Sequence, residues 1–271
     1  MKESTRILFL KPFMFQENIT AIVLIPTLLF FFLKTSPGVG QHVGLAVTVA
    51  TIAGVVGLVL GTAVKYALVR PAIELMDKDT YTEEEAMRAV RSAAMLPLAE
   101  AITIFVRWAP SAIPICMGTF YYLGIITPHE AVFGCVALVM TALLVVPFFY
   151  LASENGLVPF FEHVRIKGLF EKEHAFFRMS LSTKLFFTLI LTCVPPIGII
   201  MGTIYLSITT GLDLSSIHMG FYIILFQAVL LAVINGGLLM KNLNVSVGRM
   251  SLMLKDMATG RLGFHKEDAN A

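Results

Sequence analysis

Charge is scarce in this chain. Asp, Glu, Lys and Arg make up only 14% of its 271 residues, against 57% hydrophobic, and the mean hydropathy is +0.82. Soluble domains carry about 25% charged and about 45–50% apolar residues, so the composition excludes an ordinary soluble fold. A net charge of +2 is too small to point to nucleic acid. Three cysteines exclude a disulfide scaffold, and 21 Phe with 14 Met exclude a disordered chain. Catalytic signatures are missing as well. There is no GxxxxGK[ST] loop and no Cys-x-x-Cys, and Phe133 stands where a zinc-protease helix beginning at His129-Glu130 needs its second histidine. No spacing suggests an acid–base pair, so no catalytic site is expected in this chain, and any cofactor is left open.

What the chain does have is long apolar runs. A membrane-crossing helix needs roughly 20 mostly apolar residues. Six runs qualify: Ile19–Leu33 lengthened by Phe13–Phe15, Val43–Val69, Trp108–Ile126 or a start near Leu96, Val132–Ala152, Leu185–Leu206 and Met219–Met240. The links after the first, third and fifth runs are short, whereas those over about 71–96 and 153–184 are long and charged. The expected fold is therefore all-α: a polytopic bundle of six transmembrane helices over 1–240, arranged as hairpins at about 13–70, 96–158 and 184–240. Of the 20 Lys and Arg, Lys34 is assigned to an outer link, Arg107 to the inside or edge of a span, and the remainder to the inner side. By the positive-inside rule both termini are then cytoplasmic. Met1–Phe15 carries Lys2, Arg6 and Lys11 without a small-residue cleavage site and is read as an uncleaved anchor. Cys116, Cys135 and Cys193 fall within spans and are expected to pack as small apolar residues.

The hairpins look like copies of one another. Met117-Gly118-Thr119 recurs as Met201-Gly202-Thr203 after 84 residues, and the same step backwards reaches Leu33-Lys34-Thr35. Pro26, Pro110 and Pro195 stand 84 and 85 apart, and Pro71, Pro159 and Ser246 stand 88 and 87 apart. The first set predicts a bend at one shared depth, since proline removes a helix hydrogen bond. The second set marks the inner exit of each even-numbered span. Gly40, Gly44, Gly54, Gly57 and Gly61 place small residues along the second span, a pattern that admits close helix packing.

Beyond the sixth run, apolar residues at Met240, Leu243, Val247, Met250, Leu254 and Met257 are spaced 3, 4, 3, 4, 3, the seam of a coiled-coil helix continuous with the span. Gly260 is placed as its stop. The segment Ser246 to Leu262, closing in Met257-Ala258-Thr259-Gly260-Arg261-Leu262, resembles the first helix of a HAMP domain, the parallel four-helix linker of bacterial receptors, kinases and cyclases. It departs from that family at Ser246, where proline is usual, and at Arg261, where an acidic residue is usual. Following six spans, it resembles in organisation the membrane part of bacterial six-span class III adenylate cyclases with HAMP. The resemblance implies a homodimer, with 241–271 as a partial HAMP segment and a cytoplasmic output domain outside this sequence. It also casts Met240, Leu243, Val247, Met250, Leu254, Met257 and Gly260 as the transmission path. Arg70-Pro71 and Val158-Pro159 then look like degenerate versions of the same start.

Several further residues are candidate sites. His42, His129 and His218, spaced 87 and 89 apart near the outer ends of even spans, would converge on a metal or acidic ligand in a pseudo-threefold bundle, with Glu130 as a fourth ligand. Otherwise they are solvated, and Thr127-Pro128-His129-Glu130 is a capping box with Pro at the first helical position, the preferred reading. Arg107 shares a helix face with Glu100 seven residues earlier, so the two either pair or hold an anionic lipid-like ligand; otherwise Arg107 snorkels beside Trp108 at the interface. Gln227 and Asn235 in the sixth span are expected to hydrogen-bond between helices. Thr82-Glu83-Glu84-Glu85 opens an amphipathic helix with a Glu84–Arg88 pair. The mix of Arg165, Lys167 and Lys172 with Phe161, Leu169 and Phe176 suits a membrane surface. The outer links are too short for a folded binding domain, so an apolar or lipid-like signal within the bilayer is expected. A small transporter of repeated hairpins is the competing class, favoured by the proline-interrupted spans and Arg107 and opposed by the heptad and the scarcity of intramembrane acids. A membrane scaffold recruiting a partner through 71–95 and 153–184 is a third.

Overall fold

The computed structural model describes residues 3–165, 179–211 and 214–258, and over these it is helical without a strand. Six helices are long and apolar enough to cross a membrane, the build of an integral membrane protein. They are α1 (Glu3–Thr35), α2 (Val43–Met76), α3 (Glu83–Tyr122), α4 (Pro128–Gly156), α5 (Leu181–Thr210) and α6 (Leu214–Ala258). A one-turn helix, Pro37–Gln41, joins α1 to α2, and Val158–Arg165 follows α4.

The helices outrun the apolar stretches that announce them. The charged link expected over about 71–96 is mostly helix, because α2 continues past Pro71 to Met76 and α3 begins at Glu83. Backbone hydrogen bonding does not stop where hydropathy falls. The amphipathic helix expected at Thr82 is thus the first turns of α3. Its capping box is formed, with the Glu85 N–H donating to Thr82 Oγ1 at 3.2 Å and the Thr82 N–H to Glu85 Oε2 at 3.1 Å, and Arg88 pairs with Glu84 at 3.2 Å. Of the second inner link, residues 166–178 lie outside the described residues.

Prolines set local geometry in α1 and α3. A π-helical turn over Arg6–Leu10 precedes Pro12, another over Thr20–Leu24 precedes Pro26, and a longer one, Arg107–Gly118, contains Pro110 and Pro114. Each proline lacks the N–H that the next α-helical bond needs, and a wider i→i+5 turn accommodates the ring. Pro195 and Pro196 instead sit in an uninterrupted α5. The step of about 84 residues therefore does not reproduce one local geometry. Nor do the exit positions match: Pro71 lies inside α2, Pro159 follows the break at Leu157, and α6 runs straight through Ser246.

α4 is the central helix, its apolar stretch mostly buried where that of α2 is mostly exposed. It packs chiefly on α5 and α3, α2 packs on α3, and α1 lies against α6 as well as α2. The first and third sequence hairpins do not behave as closed packing units. Three apolar clusters fill the interior. Phe31, Phe120 and Phe133 sit toward the end with the short links, Leu24, Phe148 and Leu231 at mid-height, and Leu8, Val90 and Phe160 at the end with the long links.

Candidate functional site

Four charged side chains meet inside the bundle where α1, α2 and α3 come together. On α2, Gly57, Gly61 and Lys65 are spaced by four and share one face, which runs antiparallel to the α3 face bearing Glu100 and Arg107. Lys65 thereby lies opposite Glu100 and Gly61 opposite Arg107. Lys65 Nζ is 3.2 Å from Glu100 Oε2, both side chains being about 95% buried (4% and 6% exposed). It also donates to Gln16 Oε1 and lies over the Phe13 and Phe149 rings at 5.3 and 5.7 Å. Gln16 passes the connection on, its Nε2 donating to Phe149 O at 3.1 Å and Ser153 Oγ at 2.9 Å. Next to it, Glu17 takes both Nη groups of Arg107, each at 3.1 Å, in the fork geometry that makes guanidinium–carboxylate pairs strong.

These pairings correct both expectations for Arg107. It is buried rather than snorkelling, and its partner is Glu17, not Glu100. Trp108 is half-buried in the interior instead of belonging to an interfacial belt. Lys65, counted with the inner-side charges, lies within the second span. Intramembrane acids are not absent either, since Glu17 and Glu100 are both inside. The small-residue pattern of α2 has a local purpose too. A Cβ on Gly61 would stand 2.3 Å from Arg107 Cζ, so glycine makes room for the guanidinium.

Beside this cluster a groove of about 570 Å³ runs between α1, α2 and α3, within the 300–1,000 Å³ range of small-molecule sites. Its walls are apolar, from Ile25 and Leu28 on α1, Ala50 and Gly54 on α2, and Cys116 and Met117 on α3. Glu17, Asn18 and Arg107 close one end, and Phe32, Val39 and Phe120 line the other. Exposed Met14, Val55 and Leu58 line it as well, so it opens sideways between α1 and α2. Arg107 Nε is buried with no hydrogen-bond partner among the described residues.

A second polar node holds the exit of α6. Glu154, near the end of α4, bonds Lys184 at the start of α5, and Asn242 Nδ2 of α6 donates to Glu154 Oε2 at 2.9 Å. Asn155 Nδ2 reaches the Leu238 carbonyl at 3.2 Å. Met240 is exposed and Leu243 half-buried, while Val247, Met250, Leu254 and Met257 lie on the continuing helix and Gly260 falls outside the described residues.

The remaining candidates are placed apart. His42, His129 and His218 are all exposed, and no group of three or more His, Cys, Asp or Glu among the described residues is placed to hold a metal. His42 Nδ1 lies 3.0 Å from its own helical turn at Gly38 O. Glu130 forms the capping box instead, accepting from the Thr127 N–H at 2.8 Å and from Ser36 Oγ at 2.7 Å, which ties the two short links together. Gln227 and Asn235 are buried, yet neither amide has a partner among the described residues, contrary to the hydrogen bonding expected of them.

Glu100 and Arg107 were legible in the sequence as intramembrane charges. Lys65 was equally so, a lone lysine in an apolar run with glycines four and eight residues before it. Glu17 and Gln16 carried no comparable signal, because they precede the apolar core of α1. Comparison with known proteins adds no relative: no family model, curated protein or solved structure matches this chain.

Proposed function

We propose that this chain is the membrane sensor module of a signalling protein, passing a displacement of α6 through a HAMP-like helix to a cytoplasmic output domain. The observation that carries the reading is the length of α6. Its 45 residues form one unbroken helix. At 1.5 Å per residue that is about 67 Å, more than twice a hydrocarbon core of about 30 Å. A stiff rod of that length hands any shift at its membrane end to whatever is attached beyond it. The Glu154 node supports the same reading, since it ties the exit of α6 to α4 and α5. In this account the protein is a homodimer whose α6 extensions pair along Val247, Met250, Leu254 and Met257. Both termini are cytoplasmic, and a class III cyclase is the output that the family resemblance suggests. A ligand acts by binding one of two α6 positions better than the other.

Replacing Leu254 by Asp places a charge in each strand of that seam. The full chain in nanodiscs should then run as a monomer while retaining its helical content, as measured by mass photometry and circular dichroism. An unchanged dimer would remove the seam from the account. One observation favours a small transporter instead. Buried Lys65, Glu100 and Arg107, with the half-buried Glu17, are the kind of intramembrane charges that substrate and ion paths use. A monomer in which Leu254→Asp changes nothing would favour that reading.

A further inference from the structure

We infer that the groove between α1, α2 and α3 binds an uncharged single-chain lipid with a hydroxyl-bearing head, of the monoacylglycerol class. The head would lie at Glu17 and Arg107 and the chain would run toward Phe32 and Phe120.

Shape argues for one chain. On α1 the lining runs from Phe13 to Phe32, and the stretch from Glu17, where the head is placed, to Phe32 spans 15 residues. That is about 22 Å of helix, somewhat longer than the ~15 Å depth of one leaflet's hydrocarbon. The side opening past Met14, Val55 and Leu58 gives a bilayer lipid a way in without crossing water.

Charge decides the head. Arg107 spends both Nη groups on Glu17, and Lys65 is matched by Glu100, so the four charges sum to zero. A fatty-acid carboxylate or a phosphate would therefore meet the Glu17 carboxylate with no cation to spare, a costly arrangement away from water. An ammonium head would satisfy Glu17 but offers no acceptor to Arg107 Nε, which is buried beside Gly57 and without a partner among the described residues. A hydroxyl donates and accepts through one atom. It can give its proton to a free lone pair of Glu17 and take the Nε–H of Arg107, and the adjacent Asn18 amide offers a further donor and acceptor.

The test uses the full chain in phosphatidylcholine nanodiscs and a monoacylglycerol carrying a photoreactive diazirine at its chain end. Adducts should map to peptides containing Phe32, Val39 or Phe120. Unlabelled monoacylglycerol should suppress them, whereas an equal amount of fatty acid or lysophosphatidylcholine should not. Ala50→Trp and Gly54→Leu fill the groove away from the charges and should each lower the adduct yield about tenfold or more. Glu17→Gln leaves the shape but frees the positive charge of Arg107, so fatty acid should now compete better than monoacylglycerol. Adducts scattered over the bundle, equal competition by fatty acid in the unsubstituted chain, or undiminished labelling of both groove-filled variants would overturn the proposal. Since binding is read without any output, it stands or falls apart from the sensor reading.

Discussion

A charged side chain inside a bilayer must find its counter-charge within a few ångströms, and at the residue scale this demand explains most of the interior polar chemistry. Lys65 meets Glu100 and Gln16, and Arg107 meets Glu17. Breaking one buried pair leaves its partner uncompensated, at a cost of about 3–5 kcal/mol, whereas removing both charges together is often close to neutral. Lys65→Met should therefore lower the thermal midpoint in detergent sharply. The double variant Lys65→Met with Glu100→Leu should recover most of the loss, and additive losses would show the two residues to be uncoupled. Glycines separate in the same way. Gly61→Ala puts a methyl group into the Arg107 guanidinium and should cost about 1–3 kcal/mol, while Gly44→Ala, with nothing within 4 Å, should be neutral or stabilising by up to about 1 kcal/mol. Equal thermal midpoints for the two variants would contradict the cradle. The sequence makes three of the four charges legible, because Lys65, Glu100 and Arg107 sit at recognisable places in apolar runs, whereas Glu17 does not. Which carboxylate goes with which cation depends on how α1 lies against α2 and α3, and no spacing along one helix encodes that.

Elements are legible where hydropathy and helix coincide, and illegible where polar residues continue a helix beyond the membrane. All six apolar runs are helices, and both capping boxes form as their Thr-x-x-Glu spacing requires. The extent of α1, α2 and α3 was hidden because a helix entering water keeps its backbone bonds while losing its apolar signature. The π turns were hidden for a different reason. Proline predicts a disturbed helix, but whether the chain kinks, widens or stays regular is settled by neighbouring helices, as the contrast between Pro26 and Pro195 makes plain. On the sensor reading proposed above, the element that matters most is the exit of α6. Glu154 holds it through Asn242, so Glu154→Ala should loosen the last membrane turn without unfolding the bundle. Amide hydrogen exchange over 238–244 should then accelerate about tenfold or more while the core of α4 keeps its protection. No change in that window would mean that the exit is held by apolar packing alone.

For the molecule as a whole, the arrangement around α4 makes a bundle in which the partners of a helix are often not its neighbours in sequence. Repeats in the chain are therefore a poor guide to packing: α1 rests on α6, and the charge cluster joins the first hairpin to the second. Two features serve the proposed sensor reading. The groove bordered by Glu17 and Arg107 is a place where a lipid could favour one arrangement, and α6 is the rod by which an arrangement would be felt outside the membrane. Transmission as proposed requires this rod to pair with its counterpart in a second copy of the chain. The most direct measurement is disulfide crosslinking between protomers, with single cysteines placed in turn from position 240 to 258 in a background in which Cys116, Cys135 and Cys193 are replaced. The account predicts efficient crosslinking at Val247, Met250, Leu254 and Met257, with the positions between them weak. Uniformly low crosslinking, or maxima that fall between those residues, would contradict it.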